Sequence, residues 1–332
     1  MRKGVNPNNH KTINAKSISH RVIIPVYIPN FEGYFKDSLN VFKVCVESLL
    51  KTINSDTVIS IISNASCKEV NNYIYSLKQD NKIDRAIFNK ENVGKMNAII
   101  AETRASFEKF ITYSDADVFF DKGWLKQTYT MFKNVPNAGF ISMNPTPQNY
   151  GYSESTLLSN LNILFFQNKK TEEVCSRKDL IHFHKSIGKP EEFTVQMLES
   201  KILTLENHNY IMGAGHFCCT IKKTPTLNFV PMENSNKFAS GGSEALYLDI
   251  PFNKTGLLKL SSPKSYVWHM GNVLEKDWTL TKLDEISTFK EDDFSFDSLP
   301  SAKANLILRI IPYRIRLKII GFLKKVKFIK LK

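Results

Sequence analysis

No apolar run in this chain approaches the roughly 18 to 20 residues needed to cross a bilayer. Its polar start, "MRKGVNPNNHK", has no apolar stretch of the kind that marks a secretory signal. No Cys-x-x-Cys pair occurs. Five cysteines (Cys45, Cys67, Cys175, Cys218 and Cys219) are scattered, an odd number that suggests neither a disulfide framework nor a zinc site. Most lie in apolar or helix-like runs, as buried free thiols in a reducing compartment do. There is no internal repeat and no low-complexity segment. The expectation is a cytoplasmic protein, soluble or peripheral on the inner face of the plasma membrane. Acid is missing from the end of the chain: residues 305–332 hold nine Lys and Arg and no Asp or Glu, nine of the net +13. The first 304 residues are only mildly basic, so the charge speaks of a local partner for the tail.

What is present is a globular composition. The chain has 332 residues, 42% of them hydrophobic, enough for one large or two ordinary domains. From Val22 to Asn144 the pattern alternates. Strands are predicted over 22–26, 58–63, 84–89, within 107–114, and over 138–144. Helices are predicted over 39–53, 68–80, 95–106 and 124–134. Such alternation implies an α/β domain with a largely parallel sheet, which binds ligands beyond the carboxyl ends of its strands. Residues 145–210 are less periodic, with a helical pattern near 155–167, and read as an insertion or substrate-binding segment. Further on, 210–221 reads as a strand entered through small residues, and 243–256 as a helix interrupted at Pro251. Residues 265–272 read as a strand followed by a turn.

Three features fall at predicted strand ends. In "YSDADVFFDKGW", Asp115 and Asp117 lie one residue apart. A loop there aims both carboxylates at one hard cation, Mn²⁺ or Mg²⁺, which also binds phosphate oxygen. The same motif also occurs as a solvated turn. In "FNKENVGKMNAI", Gly94 opens a predicted helix where backbone approaches a phosphate or sugar closely, or where the chain simply bends. In "VWHMGN", His269 ends an apolar strand; imidazole is a competent Mn²⁺ ligand, though a lone histidine is often structural.

Together "VIIPVYIPN", "SNAS", "NKENVGKMNA", "YSDADVFFDKGWL", "MGAGHF", "GGSEAL" and "HMGN" resemble a family 2 glycosyltransferase of the GT-A fold, of bacterial surface-glycan type, across roughly residues 21–272. The resemblance implies a GT-A domain over 18–290, with a nucleotide-binding half (18–144) and an acceptor-binding half (145–290). It implies that Pro25 and Tyr27 lie along the nucleotide and that Asn64 meets the base or ribose. Asn92, Gly94 and Lys95 would border the nucleotide and diphosphate. Asp115 would contact sugar or ribose, Asp117 would hold Mn²⁺ or Mg²⁺, and His269 would complete the metal site. Gly213, Ala214, Gly215 and His216 would line the sugar and acceptor pocket. The donor implied is a nucleotide sugar, a UDP-sugar by preference, and the acceptor a glycan or lipid-linked hydroxyl. This chain departs from the family twice. Asn64 stands where the family has Asp, and "GGSEAL" replaces an acidic pair. That leaves Glu244 as the base for a single-displacement reaction, with Asp249 five residues on as the fallback.

The tail, 300–332, places Ile315, Ile319, Phe322, Leu323 and Val326 at helical spacing among its cations. A basic amphipathic helix of this kind lies in an anionic membrane interface, or caps a domain with a solvated face. Nucleic acid is not expected, because aromatic residues are sparse there. A sugar nucleotidyltransferase is the alternative enzyme, but it opens with a Gly-rich basic loop that "PVYIPNFEGY" is not. A basic binding protein with a degenerate site is the non-enzymatic alternative.

Overall fold

The computed structural model describes residues 3–9, 11, 18–147, 166–205, 207–238, 242–301 and 310–325. Twelve strands are found among them: β1 His20–Val26, β2 Thr57–Asn64, β3 Arg85–Asn89, β4 Phe110–Ser114, β5 Val118–Phe120, β6 Ala138–Ser142, β7 Phe166–Lys170, β8 Lys201–Leu205, β9 Ile211–Met212, β10 Cys218–Lys222, β11 Leu258–Ser261 and β12 Val267–His269. The helices are α1 Ser38–Thr52, α2 Lys68–Gln79, α3 Lys95–Ala105, α4 Trp124–Asn134, α5 Arg177–Ser186, α6 Glu191–Glu199, α7 Lys223–Leu227, α8 Ile250–Thr255, α9 Lys276–Glu285 and α10 Tyr313–Lys325.

Ten strands form one sheet in the order β3-β2-β1-β4-β10-β6-β11-β9-β8-β7. The first four are parallel. β10 enters antiparallel between β4 and β6, and β11 pairs parallel with β6. Seven of the ten strands run one way, so the sheet is mostly parallel, with antiparallel pairing concentrated at the β9-β8-β7 edge. Because β10 sits inside it, residues on both sides of position 144 build one continuous sheet.

Strand side chains alternate between faces, and both faces are covered. Val22, Ile24, Ile59 and Ile61 pack with Phe42 and Leu49 of α1, Ile74 of α2 and Trp124 and Phe132 of α4. Ile23, Ile62 and Ile111 point the other way, against Met96 and Ile99 of α3 and Phe252 of α8. Near-continuous burial along β1 and β2 follows from this double cover.

Four expectations change. The predicted helix over 155–167 lies mostly outside the described residues, but Phe166 and Gln167 belong to β7. The strand read over 210–221 is two strands, because the backbone of 213–217 turns away between β9 and β10. The weakly periodic segment contains α5, α6 and β8, whose apolar residues are too few to show on so small a core. Finally, ordered packing passes residue 290. Phe296 is 1% exposed within the main core, and Asn54 Nδ2 donates to the carbonyls of Asp292 and Phe294.

Candidate active site

The carboxyl ends of β1, β2 and β4 open on a cavity of about 630 Å³. Pro25, Tyr27, Asn64, Asn92, Lys95, Asp115 and Asp117 line it, so the residues picked out at four separate strand ends do meet. Sequence reasoning missed Tyr34, Phe35, Phe238 and Asn272 on its walls. Tyr34 and Phe35 sat in plain view as an aromatic pair in the loop after β1. Asn272 closes the "HMGN" motif but was given no role, and Phe238 carried no local signal.

Two backbone bonds fix the Asp-x-Asp turn from opposite sides. Asp115 N–H donates to Phe217 O at 2.7 Å, and Met270 N–H donates to Asp117 O at 2.8 Å. The second is an extension of a small ribbon in which β12 pairs antiparallel with β5. That pairing carries His269 to the turn, where its Nε2 is 3.4 Å from Asp117 Oδ2 while its Nδ1 bonds Ser186 Oγ at 3.0 Å. Asp117 Oδ1 is buried and has no hydrogen-bond partner. Burial raises the Asp117 carboxyl pKa against the pull of His269; Asp115 adds to the rise and Lys95 opposes it. An orphaned, reluctantly ionised carboxylate oxygen beside an imidazole suits a cation. Among the described residues no group of three or more His, Cys, Asp or Glu forms a complete metal cage. Asp117 and His269 therefore fit a metal that is shared with a phosphate-bearing ligand.

Asn64 is only 3% exposed, and its amide is spent on the loop after β3. Its Oδ1 accepts from Asn89 Nδ2 (3.1 Å) and Val93 N–H (3.0 Å), and its Nδ2 donates to Asn92 Oδ1 (2.8 Å). Asn92 Oδ1 also caps Gly94 N–H at 2.9 Å. An aspartate could not make the donation to Asn92, which accounts for Asn at this position. The principal task of Asn64 here is to hold the loop, with one edge left on the cavity.

Gly94 does not work as expected either. Its φ is +87°, and a Cβ there would lie 2.7 Å from Lys237 O. The close neighbour is the chain itself: Lys95 N–H donates to Phe238 O at 2.7 Å, and Asn97 exchanges hydrogen bonds with Ser235. The first turn of α3 is thus covered by the 235–238 segment, so its amides do not present a bare phosphate cradle.

Gly213, Ala214 and Gly215 are buried in the connection between β9 and β10. Gly213 N–H donates to Lys259 O, Gly215 N–H donates to Ser142 Oγ, and a Cβ on Gly215 would meet Thr146 Cγ2 at 2.9 Å. Small residues are needed there for close packing. Of the four, His216 lies within 3.8 Å of Glu244 and 3.1 Å of Asp249.

Lys95 Nζ lies 2.6 Å from Asp115 Oδ1 and 2.8 Å from Glu244 Oε1. Burial favours a neutral amine, yet the two carboxylates outweigh it and raise the Lys95 pKa. In return, Lys95 and His216 hold the Glu244 carboxyl below its ordinary value against burial. Asp249 is different. It is 5% exposed and ion-paired with Lys259, itself 1% exposed, and His216 Nε2 lies 3.1 Å from Asp249 Oδ1. Burial opposes its ionisation, but Lys259 and His216 bring its pKa down to about 2. A sequestered carboxylate with both partners in place is not the fallback base that its position suggested. Glu244, about a quarter exposed, is the open one.

Residues 22–185 match the family model for glycosyl transferase family 2, and the chain carries a glycosyltransferase domain there, on the mixed α/β frame expected of a GT-A fold. The match contains the cavity residues from Pro25 to Asp117 and stops short of His216, Glu244 and His269. No curated protein matches the chain. Solved structures show weak similarity. GalNAc-T7 with UDP, GalNAc and Mn²⁺ is 12% identical over 77% of this chain and 44% of that one, at a TM-score of 0.45. The Pyrobaculum calidifontis mannosyltransferase PcManGT with GDP-Man and Mn²⁺ is 10% identical over 74% and 54%, at 0.42. S. aureus TarS 1–349 with UDP-GlcNAc is 14% identical over 39% and 34%, at 0.32. This chain spans between about a third and a half of these structures.

Proposed function

We propose that this chain is a metal-dependent, inverting glycosyltransferase. It moves a sugar from a nucleoside diphosphate sugar, a UDP-sugar by preference, to a hydroxyl of a glycan or lipid-linked acceptor. The product class is a bacterial surface glycan such as lipopolysaccharide or capsule. One observation carries the reading: a single cavity at the carboxyl ends of parallel strands brings together Asp115, Asp117 and Lys95, and Lys95 reaches Glu244 across the fold.

In this reading the nucleoside lies along Pro25, Tyr27 and the edge of Asn64. Asp117 and His269 would hold Mn²⁺ or Mg²⁺, which would supply charge neutralisation for the leaving diphosphate. Asp115 orients the ribose or the sugar. Glu244 takes the proton of the attacking hydroxyl, and Lys95 keeps that carboxylate ionised and aimed. His216 stands beside it on the acceptor side.

The tail belongs to the same proposal. Arg316 and Ile320 of α10 are buried, and Arg316 Nη1 donates to Asn253 O at 2.8 Å. The buried face is thus not the stripe expected from spacing, because Ile315 and Phe322 remain exposed together with Ile310 and Leu317. Val326 lies outside the described residues. No described helix is long and apolar enough to cross a membrane. Exposed apolar side chains beside Arg314, Lys318 and Lys325 suit the surface of an anionic bilayer, where a lipid-linked acceptor resides. That would place the protein on the inner face of the plasma membrane.

The decisive experiment is a thermal-shift screen of nucleotide sugars with Mn²⁺, followed by donor hydrolysis with and without the metal. A true donor raises Tm by mass action and is hydrolysed only with metal. A protein stabilised by no nucleotide sugar, or one fully active in excess EDTA, overturns the assignment.

A further inference from the structure

Three groups that the proposed reaction does not use stand in a row behind Glu244. His216 Nδ1 is 3.8 Å from Glu244 Oε2. His216 Nε2 is 3.1 Å from Asp249 Oδ1, and Asp249 is ion-paired with Lys259. The order is therefore Glu244, His216, Asp249, Lys259. His216 is 23% exposed at its side chain, whereas Asp249 and Lys259 are sealed from water.

The backbone is bent to allow this. Glu244 and Asp249 are five residues apart, and in an α-helix, at about 100° per residue, they would diverge by about 140°. The segment Ala245–Asp249 is instead a π-turn, which runs directly into α8 with Pro251 in its first turn. Pro251 has no N–H for the regular ladder. The i→i+5 repeat of a π-turn brings residues five apart toward one face. Both carboxylates thereby reach the same imidazole. π-turns of this kind are found most often at functional sites.

We propose that His216 is the proton acceptor behind Glu244, held in the required tautomer by the Asp249–Lys259 pair. Asp249 is kept ionised by Lys259 and has no proton to give, so His216 Nε2 must be the donor in that bond. With the proton on Nε2, the ring presents its Nδ1 to Glu244. The charged groups around it are Glu244 and Asp249 directly, and Lys95 and Lys259 through them. The buried Cys219 thiol nearby stays neutral, because burial raises its pKa strongly.

The step rests on the proposed transfer reaction and balances within it. The acceptor oxygen bonds to the anomeric carbon as its proton passes to Glu244. The bond from that carbon to the diphosphate breaks, and its electron pair leaves with the nucleotide. Glu244, now a carboxylic acid beside Lys95, is more acidic than an ordinary carboxyl and passes the proton from Oε2 to His216 Nδ1. The imidazolium between two carboxylates releases it to water. Glu244 is thereby ready for another turnover without the proton leaving past the bound nucleotide.

The test uses the full chain and its best nucleotide sugar with Mn²⁺. His216→Gln keeps a hydrogen bond toward Asp249 but takes no proton. It should lower kcat by roughly 10²-fold and leave the donor KM within about two-fold. His216→Ala should be restored in part by added imidazole. In the ¹⁵N spectrum of the wild-type protein, His216 should carry its proton on Nε2. Wild-type kcat in His216→Gln, failure of imidazole to restore any turnover, or an Nδ1–H tautomer overturns the assignment while the transferase reading stands. A wild-type protein that transfers no sugar overturns the transferase reading and this step with it.

Discussion

Lys95 Nζ lies 2.8 Å from Glu244 Oε1 although 149 positions separate the two in sequence. The same ammonium holds Asp115 at 2.6 Å. One cation thus couples the carboxylate on the donor side to the carboxylate that is open to an acceptor. Its effect on Glu244 has a definite sign. Burial alone would raise that carboxyl pKa, and Lys95, together with His216, more than cancels the rise. In Lys95→Met the burial remains and the cation is gone, so the pKa climbs. The base form is then lost at a higher pH as the solution is acidified. The acid limb of kcat should move upward in pH, and transfer near neutrality should fall by about 10²-fold. A pH–rate profile checks this. An unmoved acid limb would show that Lys95 does not set the ionisation of Glu244.

Glu244→Gln removes the base but keeps a group of the same size near Lys95. Donor affinity, read as the thermal shift with nucleotide sugar and Mn²⁺, should stay close to wild type. Transfer should drop by about 10² to 10⁴-fold, the range for loss of a positioned base. Asp249→Asn is the informative contrast. It removes the buried charge that faces Lys259 and the carboxylate that faces His216 Nε2, so Tm and kcat should fall together, whereas Glu244→Gln lowers transfer alone. If Glu244→Gln turns over normally, Glu244 is not the base.

Much of this site could be read from local sequence, and the reasons are physical. Strand ends in a parallel sheet gather in one place, so Pro25, Asn64, Lys95, Asp115 and Asp117 were brought together by counting alternating elements. Their individual duties were not legible. Asn64 and Gly94 serve the loop that they flank, because their partners, Asn92 and Lys237, are set by tertiary geometry. Lys259 was invisible for a similar reason. It is a lone charge in an apolar strand, and only the fold reveals Asp249 beside it. The π-turn that turns Glu244 and Asp249 toward one imidazole has no sequence signature beyond Pro251. For Gly213 to Gly215 the sequence does not separate two roles, because small residues serve tight packing and ligand approach equally well.

Gly94 is where the loop geometry is least forgiving. Its φ of +87° suits glycine, and an added Cβ would press on Lys237 O at 2.7 Å. Gly94→Ala should therefore lower stability by about 1–3 kcal/mol from backbone strain alone. It should also loosen the 235–238 segment, which carries Phe238 into the cavity wall. Thermal unfolding and limited proteolysis across 231–242 report the two effects separately. An unchanged Tm would mean that the segment is free to move away at no cost.

The tail prediction separates membrane affinity from domain packing. Arg316 is committed to Asn253, so deleting the tail would disturb the fold as well as the surface. Lys318 and Lys325 are exposed, and reversing them leaves that contact intact. Each basic residue near an anionic surface is worth about 1 kcal/mol. Lys318→Glu with Lys325→Glu should thus lower partitioning onto anionic vesicles by 10-fold or more, with unchanged Tm. Partitioning that ignores both the substitutions and the salt concentration would rule out an electrostatic anchor.

Asp117 gives the sharpest link between stability and function. Its carboxyl pKa is raised in the folded protein, so the ionised form opposes folding at neutral pH. The sign is opposite to that of a carboxylate stabilised by its partners. The penalty is full above the raised pKa and is relieved as the solution is acidified through it. Asp117→Asn removes the penalty, and the metal-free protein should melt about 2 °C higher at pH 7, with the gain shrinking toward acid. The wild type should gain Tm when Mn²⁺ and a nucleoside diphosphate are added together, because both bind the native state alone. Asp117→Asn should lose that ligand-dependent gain and the transfer activity with it. A variant that is both more stable without metal and blind to metal marks Asp117 as a carboxylate kept for a cation. A variant that melts lower and still responds to Mn²⁺ would assign the metal to other groups.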